Sequence, residues 1–310
     1  GDWHHPELKD YQVEVPPVDG HYYQAEIPDS LELSERAALA INALTRLLNP
    51  EYDYAQYTHA DLRHDPPWMM MEAGITNLNP KWIESLPLMR IMSGSIQNTG
   101  VDPHLVESLI HNMGFDGLTY QPPDHPGAFY EDFSREQNLP ASNIFGEGRQ
   151  LLALAVLAEL SPDPIYHYAA ELKIQRLLDI AVSKGDGLYF RRTQGYTPGE
   201  KNTDKIDIVA VTDHEMKDSS FGMVGTAVAH SVSPVAMGAA RYYHVTGYPP
   251  ALELARGMTN YFRKEARLIE ESGRWHGYHF HIITTGILGQ AEYGLATGDE
   301  DTLEWVKRAY

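Results

Sequence analysis

Residues 238–256 read GAARYYHVTGYPPALELAR, and 51 positions later residues 289–307 read GQAEYGLATGDEDTLEWVK. Gly238, Ala240, Tyr242, Thr246, Gly247, Leu252 and Glu253 coincide with Gly289, Ala291, Tyr293, Thr297, Gly298, Leu303 and Glu304, seven identities in nineteen positions. Each copy predicts a helix rich in small residues, a tight Thr-Gly turn and a second helix with Leu and Glu in its first turns. Glycine just past the last periodic residue is a left-handed helix stop, and a two-helix unit recurring at this spacing marks an array of α-hairpins. The same shift carries His230 onto His281. Each imidazole then falls just before, or in the first turn of, the first helix of its hairpin.

Outward from the repeat, the rest of the chain reads as more of the same unit. Residues 1–30 hold Pro6, Pro16, Pro17 and Pro28 without helical period and predict an extended arm. Ala38, Leu39, Ile41, Leu44, Leu47 and Leu48 form an apolar stripe at helical spacing that stops near Asn49-Pro50. An aromatic and polar loop follows, then a short helix over Trp68 to Met71 and a longer one from Pro80 to Ser93-Gly94. Asp102-Pro103 reads as an N-cap followed by a first-turn proline, opening a helix that runs to Met113-Gly114. Between long loops at 114–145 and 184–221, the apolar run Gly146 to Leu160 and the amphipathic stretch 164–183 predict a buried helix and its partner. Ser233-Pro234 starts the helix Val235–Thr246, and a final helix opens after Asp299.

About nine helices result, alternating inner and outer character, with short turns at one end and long loops at the other. The expected fold is all-α, an (α/α)6 toroid of helical hairpins over 31–310 preceded by the 1–30 arm. Six hairpins close such a ring. The toroid is therefore expected to be incomplete at its C-terminal side, with roughly three helices supplied beyond Tyr310 by a longer parent chain or by another subunit.

Composition narrows the function. With 24 Lys+Arg against 43 Asp+Glu in 310 residues, the net charge is −19, which opposes binding to nucleic acid and to anionic membranes. No apolar run reaches the roughly 18 residues of a membrane span. The absence of cysteine excludes a disulfide, a thiolate nucleophile and a cysteine-ligated metal. A chain opening on Gly-Asp-Trp is compatible with a trimmed signal peptide. The expected compartment is the periplasm or the cell exterior, with the cytoplasm and assembly into oligomers left open.

Three kinds of side chain are candidates for chemistry. His276, His279 and His281 cluster before the last inner helix and, with His230, read as a rim around a central cleft. No carboxylate at helix spacing stands beside them, so no metal and no cofactor is expected. The plainer reading is that these imidazoles bond loop carbonyls at helix ends. Glycoside hydrolysis needs one carboxyl as acid and a second as nucleophile or base, about 5 Å apart for retention and about 6.5–9.5 Å for inversion. The loops offer Glu131 and Asp132 in the first and Asp213 and Glu215 in the second. Glu147 starts a buried helix, where the macrodipole alone favours an acid. Only burial raises a carboxyl far enough to donate a proton near neutrality. Trp68, Tyr130, Trp275 and Tyr278 lie in or beside the loops and suit stacking on sugar faces, whereas Tyr242 and Tyr293, inside the repeated helices, read as core. Arg63, Arg149 and the pair Arg191-Arg192 are the cations that an acidic ligand would meet.

The run Trp275-His276-Gly277-Tyr278-His279-Phe280-His281, the turn Ala296-Thr297-Gly298-Asp299 and the stretch Leu303-Glu304-Trp305-Val306-Lys307-Arg308 resemble the six-hairpin glycosidases. The nearest in kind are the β-L-arabinofuranosidase-like and β-glucuronidase-type families, and the likeness extends to Asn49–Asp65 and Leu151–Ala158. The resemblance implies an (α/α)6 barrel and glycosidase activity. Arabinofuranosidases of this shape use a cysteine nucleophile beside a cysteine- and glutamate-bound zinc, and this chain has no cysteine. A glycosidase here would have to use carboxylates, or key residues beyond Tyr310.

The leading expectation is a glycoside hydrolase acting on polysaccharide-derived oligosaccharides, including uronic-acid-bearing ones, by carboxylate acid/base catalysis. Glu131, Asp132, Asp213, Glu215 and His230 form its catalytic set, and Arg63, Trp68, Tyr130, Arg149, Trp275, His276, Tyr278, His279 and His281 its substrate-binding set. A polysaccharide lyase is the nearest rival, with Tyr278 and His230 or His279 as base and Arg149 neutralising a uronate. A non-catalytic carbohydrate-binding module of helical repeats is the third reading.

Overall fold

Gly247 and Gly298 sit at φ 71° and 70°, the left-handed stop that the repeat requires. One residue earlier, Thr246 Oγ1 donates to the Tyr242 carbonyl and Thr297 Oγ1 to the Tyr293 carbonyl, both at 2.7 Å. The two copies thus end their first helices in the same way, and Tyr242 and Tyr293 are buried as core. The computed structural model describes residues 2–22, 32–71, 74–125, 138–191, 193–201, 221–266, 268–275 and 280–310.

Nine α-helices lie among the described residues: α1 (Leu33–Arg46), α2 (Asn79–Ser93), α3 (Val101–His111), α4 (Ile144–Leu160), α5 (Ile165–Ile180), α6 (Phe221–Thr246), α7 (Pro249–Asn260), α8 (Phe280–Thr297) and α9 (Glu300–Ala309). Short turns at 94–100, 161–164, 247–248 and 298–299 join α2 to α3, α4 to α5, α6 to α7 and α8 to α9. Short turns make antiparallel neighbours, so α2, α4, α6 and α8 are each the first helix of a hairpin. The longer connections, 47–78, 112–143, 181–220 and 261–279, lead in sequence into these four helices. They carry three small antiparallel sheets: β1 (Leu48–Asn49) with β2 (Ala55–Asp61) and β3 (Trp68–Met71), β4 (Ser142–Asn143) with β7 (Gln194–Tyr196), and β5 (Val182–Lys184) with β6 (Gly187–Tyr189).

The inner helices pack in sequence, α2 on α4, α4 on α6 and α6 on α8. Small residues set the spacing. A Cβ on Gly148 of α4 would come within 2.3 Å of the Pro234 carbonyl carbon, and one on Gly238 of α6 within 2.5 Å of the Gly148 carbonyl oxygen. With axes about 8–10 Å apart, a straight row would hold α2 and α8 roughly 25–30 Å from each other. Yet Glu292 on α8 acts electrostatically on Glu84 of α2, at the other end of the row. The row curves, and these two carboxyls lie on its concave side.

Three boundaries differ from the sequence expectation. Trp68–Met71 is a strand, because the preceding Pro66-Pro67 pair favours extended backbone and the run pairs with β2 through Asp61↔Trp68 and Ala60↔Met69. Asp102 does not cap α3. Its carboxylate is held by Arg90, Nε to Oδ2 at 2.6 Å and Nη2 to Oδ1 at 2.7 Å, and the helix begins at Val101. The third is α6, which starts at Phe221 rather than at Ser233-Pro234, so Pro234 lies inside it. An interior proline gives no hydrogen bond to the carbonyl four residues back, here that of His230.

Candidate functional site

Helix α4 bears Glu147 and Arg149 two residues apart, a rotation of about 200°. They point in opposite directions. Glu147 and Lys173 of α5 are both fully buried and joined Oε2 to Nζ. Glu147 Oε1 accepts from Ser142 Oγ at 2.5 Å and from the Thr119 N–H at 2.9 Å. Lys173 also donates to Thr119 Oγ1 at 3.2 Å and to the Gly117 carbonyl at 3.3 Å. All three ammonium donors are thereby filled. Burial pushes the Glu147 carboxyl up and the Lys173 ammonium down, and each group is the main counterweight to the other's shift. The pair fastens residues 117–119 and β4 to α4 and α5, so Glu147 belongs to the framework.

Arg149 faces the concave side. Its Nη1 stands 3.9 Å from Glu84 Oε2, beyond hydrogen-bonding distance, and its Nε is buried without a hydrogen-bond partner. The two side chains are 12% and 26% exposed. Phe145, one turn earlier on α4, has the Arg149 guanidinium 5.8 Å and the Lys81 ammonium 5.4 Å from its ring centre. Burial is the main cause holding the Glu84 carboxyl above the usual range; Arg149 works against that rise, Glu292 adds to it, and Lys81 pulls back. Burial also lowers Arg149, with Glu84 opposing.

Local hydrogen bonds hold this arrangement. Asn143 caps α4, its Oδ1 accepting from the Gly146 N–H at 2.6 Å, while its Nδ2 donates to Thr76 Oγ1 at 3.0 Å. Gln150 Nε2 donates to the Thr76 carbonyl at 2.9 Å. The single turn Gly74–Leu78 that leads into α2 is thus tied to the first two turns of α4, which fixes Glu84 opposite Arg149. Chemically, a carboxyl whose pKa is raised can give up a proton nearer neutrality, and a guanidinium without a tight ion pair can hold a hydroxyl or a carboxylate.

Among the predicted site residues, Glu131, Asp132, Tyr130, Asp213, Glu215, His276, Tyr278 and His279 lie outside the described residues, as does the His230 side chain. The His230 backbone is the tenth residue of α6 rather than part of a first turn. His281 is exposed in the first turn of α8, and its carbonyl accepts from Thr285 Oγ1 at 2.9 Å. Trp68 is 57% exposed and stacks one face on His64, with ring centres 3.5 Å apart and planes 2° from parallel. Arg63, at the same β2–β3 turn, is 87% exposed and paired with Asp61. Trp275 gives its indole N–H to the Ala309 carbonyl at 2.8 Å and packs on the core. Of the predicted residues that are described, Arg149 is the one joined to the concave cluster.

Sequence reasoning passed over Glu84, Glu292 and Lys81 because it sought acids in the loops. The usable signal was solitude: Glu84 is the sole acid in α2, and Glu292 the sole acid in α8. A lone carboxylate in an otherwise apolar stretch of an inner helix is the kind of buried acid that calls for a partner. Among the described residues no three His, Asp or Glu side chains converge as a metal site.

The chain matches no protein-family model and no curated protein. Among solved structures it is similar to an inactive variant of the α-1,6-mannanase GH76A of Salegentibacter sp. HEL1_6, in complex with α-1,6-mannotriose, with a TM-score of 0.54 and 16% identity. The likeness covers 90% of this chain and 68% of that one. At that identity it establishes the architecture alone, an all-α toroid of helical hairpins. It does not reach the arabinofuranosidase-like and glucuronidase-type families.

Proposed function

We propose that this protein is a glycoside hydrolase acting on oligosaccharides by carboxylate acid/base catalysis. The observation that carries the reading is the concave pair Glu84 and Arg149, an acid and a cation nearly out of water with hydrogen-bonding capacity unused. An unmatched buried polar atom costs stability, and acid and cation groups held so recur at functional sites. The fold is that of a mannanase seen with mannotriose, and that variant is inactive after replacement of two adjacent aspartates. Glu131-Asp132 is an adjacent acid pair in the connection leading to α4. With Asp213, Glu215 and His230, it supplies candidates for the second carboxylate or its helper. The stacked and exposed Trp68, with Arg63 and His281, suits a sugar-binding rim at the same end of the inner helices. A periplasmic or extracellular place goes with this activity.

Incubation with α-1,6-mannotriose, then with a panel that includes uronate-bearing oligosaccharides, should release new reducing ends. The Arg149 guanidinium also suits a uronate, which favours the lyase as second reading. A lyase would leave products with a conjugated double bond that absorbs in the ultraviolet. Calorimetric binding without any product would instead mark a carbohydrate-binding module and reject both enzyme readings.

A further inference from the structure

We propose that Glu84 is the proton donor of the hydrolase described above, delivering its carboxyl proton to the glycosidic oxygen of a sugar chain held on the concave face by Arg149. The inference rests on that reading and goes beyond it by assigning the acid. The Glu84 side chain stays 26% exposed, so a ligand can reach it while most of its surface is out of water. The 3.9 Å gap to Arg149 leaves the carboxyl without the tight ion pair that would hold it as a carboxylate. Arg149 Nε, buried and unpartnered, has a hydrogen bond still to give. The charge of a second carboxyl, Glu292 of α8, also opposes the ionisation of Glu84. The charges acting on Glu84 come from α2 itself (Lys81), from α4 (Arg149) and from α8 (Glu292), and with burial they leave it protonated above the ordinary carboxyl range.

The step balances without a further reagent. The Glu84 proton passes to the glycosidic oxygen as the bond from that oxygen to the anomeric carbon breaks, its electron pair staying on the leaving oxygen. Water supplies a hydroxyl group to the anomeric carbon, and its remaining proton restores the Glu84 carboxyl. The net change is addition of one water across one glycosidic bond. Arg149 acts by positioning the sugar.

The test compares wild type, Glu84→Gln and Glu84→Asp on an oligosaccharide that wild type cleaves and on a dinitrophenyl glycoside of the same sugar, whose leaving group needs no proton. Glu84→Gln should lose about 10²–10⁴-fold in kcat on the oligosaccharide and less than about tenfold on the aryl glycoside. It should still bind the intact oligosaccharide by calorimetry, and it should lose the alkaline limb of the pH–rate profile. Glu84→Asp should keep that limb at reduced rate. Full activity of Glu84→Gln with an unchanged limb overturns the assignment and leaves the hydrolase reading standing. Equal losses on both substrates also overturn it, because a group that only shapes the site would act so. A wild type that cleaves no glycoside removes both. If Glu84→Gln fails to fold, Glu84→Asp decides: full rate with an unshifted limb rejects the donor.

Discussion

Glu147 with Lys173 and Glu84 with Arg149 are acid–cation pairs anchored on the same turns of α4, and they differ in how completely their polar atoms are matched. The first pair is fully buried, with all three Lys173 donors and both Glu147 oxygens engaged. The second keeps a 3.9 Å gap and an unpartnered Nε while remaining partly open to the hollow. Between them, Gly148 presses against Pro234 of α6. One helix thus carries a framework lock on its outer side and an unfinished pair on its inner side. The difference teaches that burial of an acid–cation pair does not by itself mark a site.

The largest effect expected from breaking this comparison is Lys173→Met. It leaves the Glu147 carboxylate buried without its cation and should cost about 3–5 kcal/mol of unfolding free energy in urea titration, with much of the loss recovered in the Lys173→Met, Glu147→Leu double variant. A loss below about 1 kcal/mol would dissolve the lock. Next comes Gly148→Ala. Alanine in a helix ordinarily gains about 1 kcal/mol over glycine, but here its Cβ would meet α6 backbone, and a loss of about 1–3 kcal/mol is expected. Retained stability would mean that the inner helices can move apart.

Glu84→Gln sharpens the comparison through pH. Because burial raises the folded pKa of Glu84, the folded protein takes up its proton before the unfolded chain does. Its contribution is fully present below the ordinary glutamate range and is lost as pH rises through the elevated value. Wild type and Glu84→Gln should therefore match in stability at low pH, and wild type should fall behind as pH rises through that window. Parallel curves from urea unfolding across pH would remove the argument. The smallest effect is Trp68→Ala, which should change stability by less than about 0.5 kcal/mol at its exposed site while weakening oligosaccharide binding by calorimetry. Unchanged binding would take the β2–β3 turn out of the site.

The repeat made the fold legible. Thr246-Gly247 and Thr297-Gly298 act through local backbone geometry, which a sequence shows directly, and the Gly146 to Leu160 run could only be a helix buried nearly all round. The start of α6 was hidden because Pro234 reads as a beginning, and only packing against α4 and α8 keeps a helix running through it. Trp68–Met71 was misread because strand pairing with Tyr57–Asp61 is not local. For the site, Arg149 was found by its charge, but its partner lies 65 positions earlier on another helix, a juxtaposition that only the curvature of the inner row creates. For Glu147 the sequence offers a loop-end acid or a first-turn acid favoured by the helix dipole, and Lys173 opposite it places it in the framework.

The measurement that bears most directly on the account is the unfolding free energy of Glu84→Gln at neutral pH, taken beside Lys173→Met under the same conditions. The account predicts that Glu84→Gln is at least as stable as wild type while Lys173→Met falls several kcal/mol below it. A fall in Glu84→Gln comparable to that of Lys173→Met would show that Glu84 is framework too, and would contradict the account.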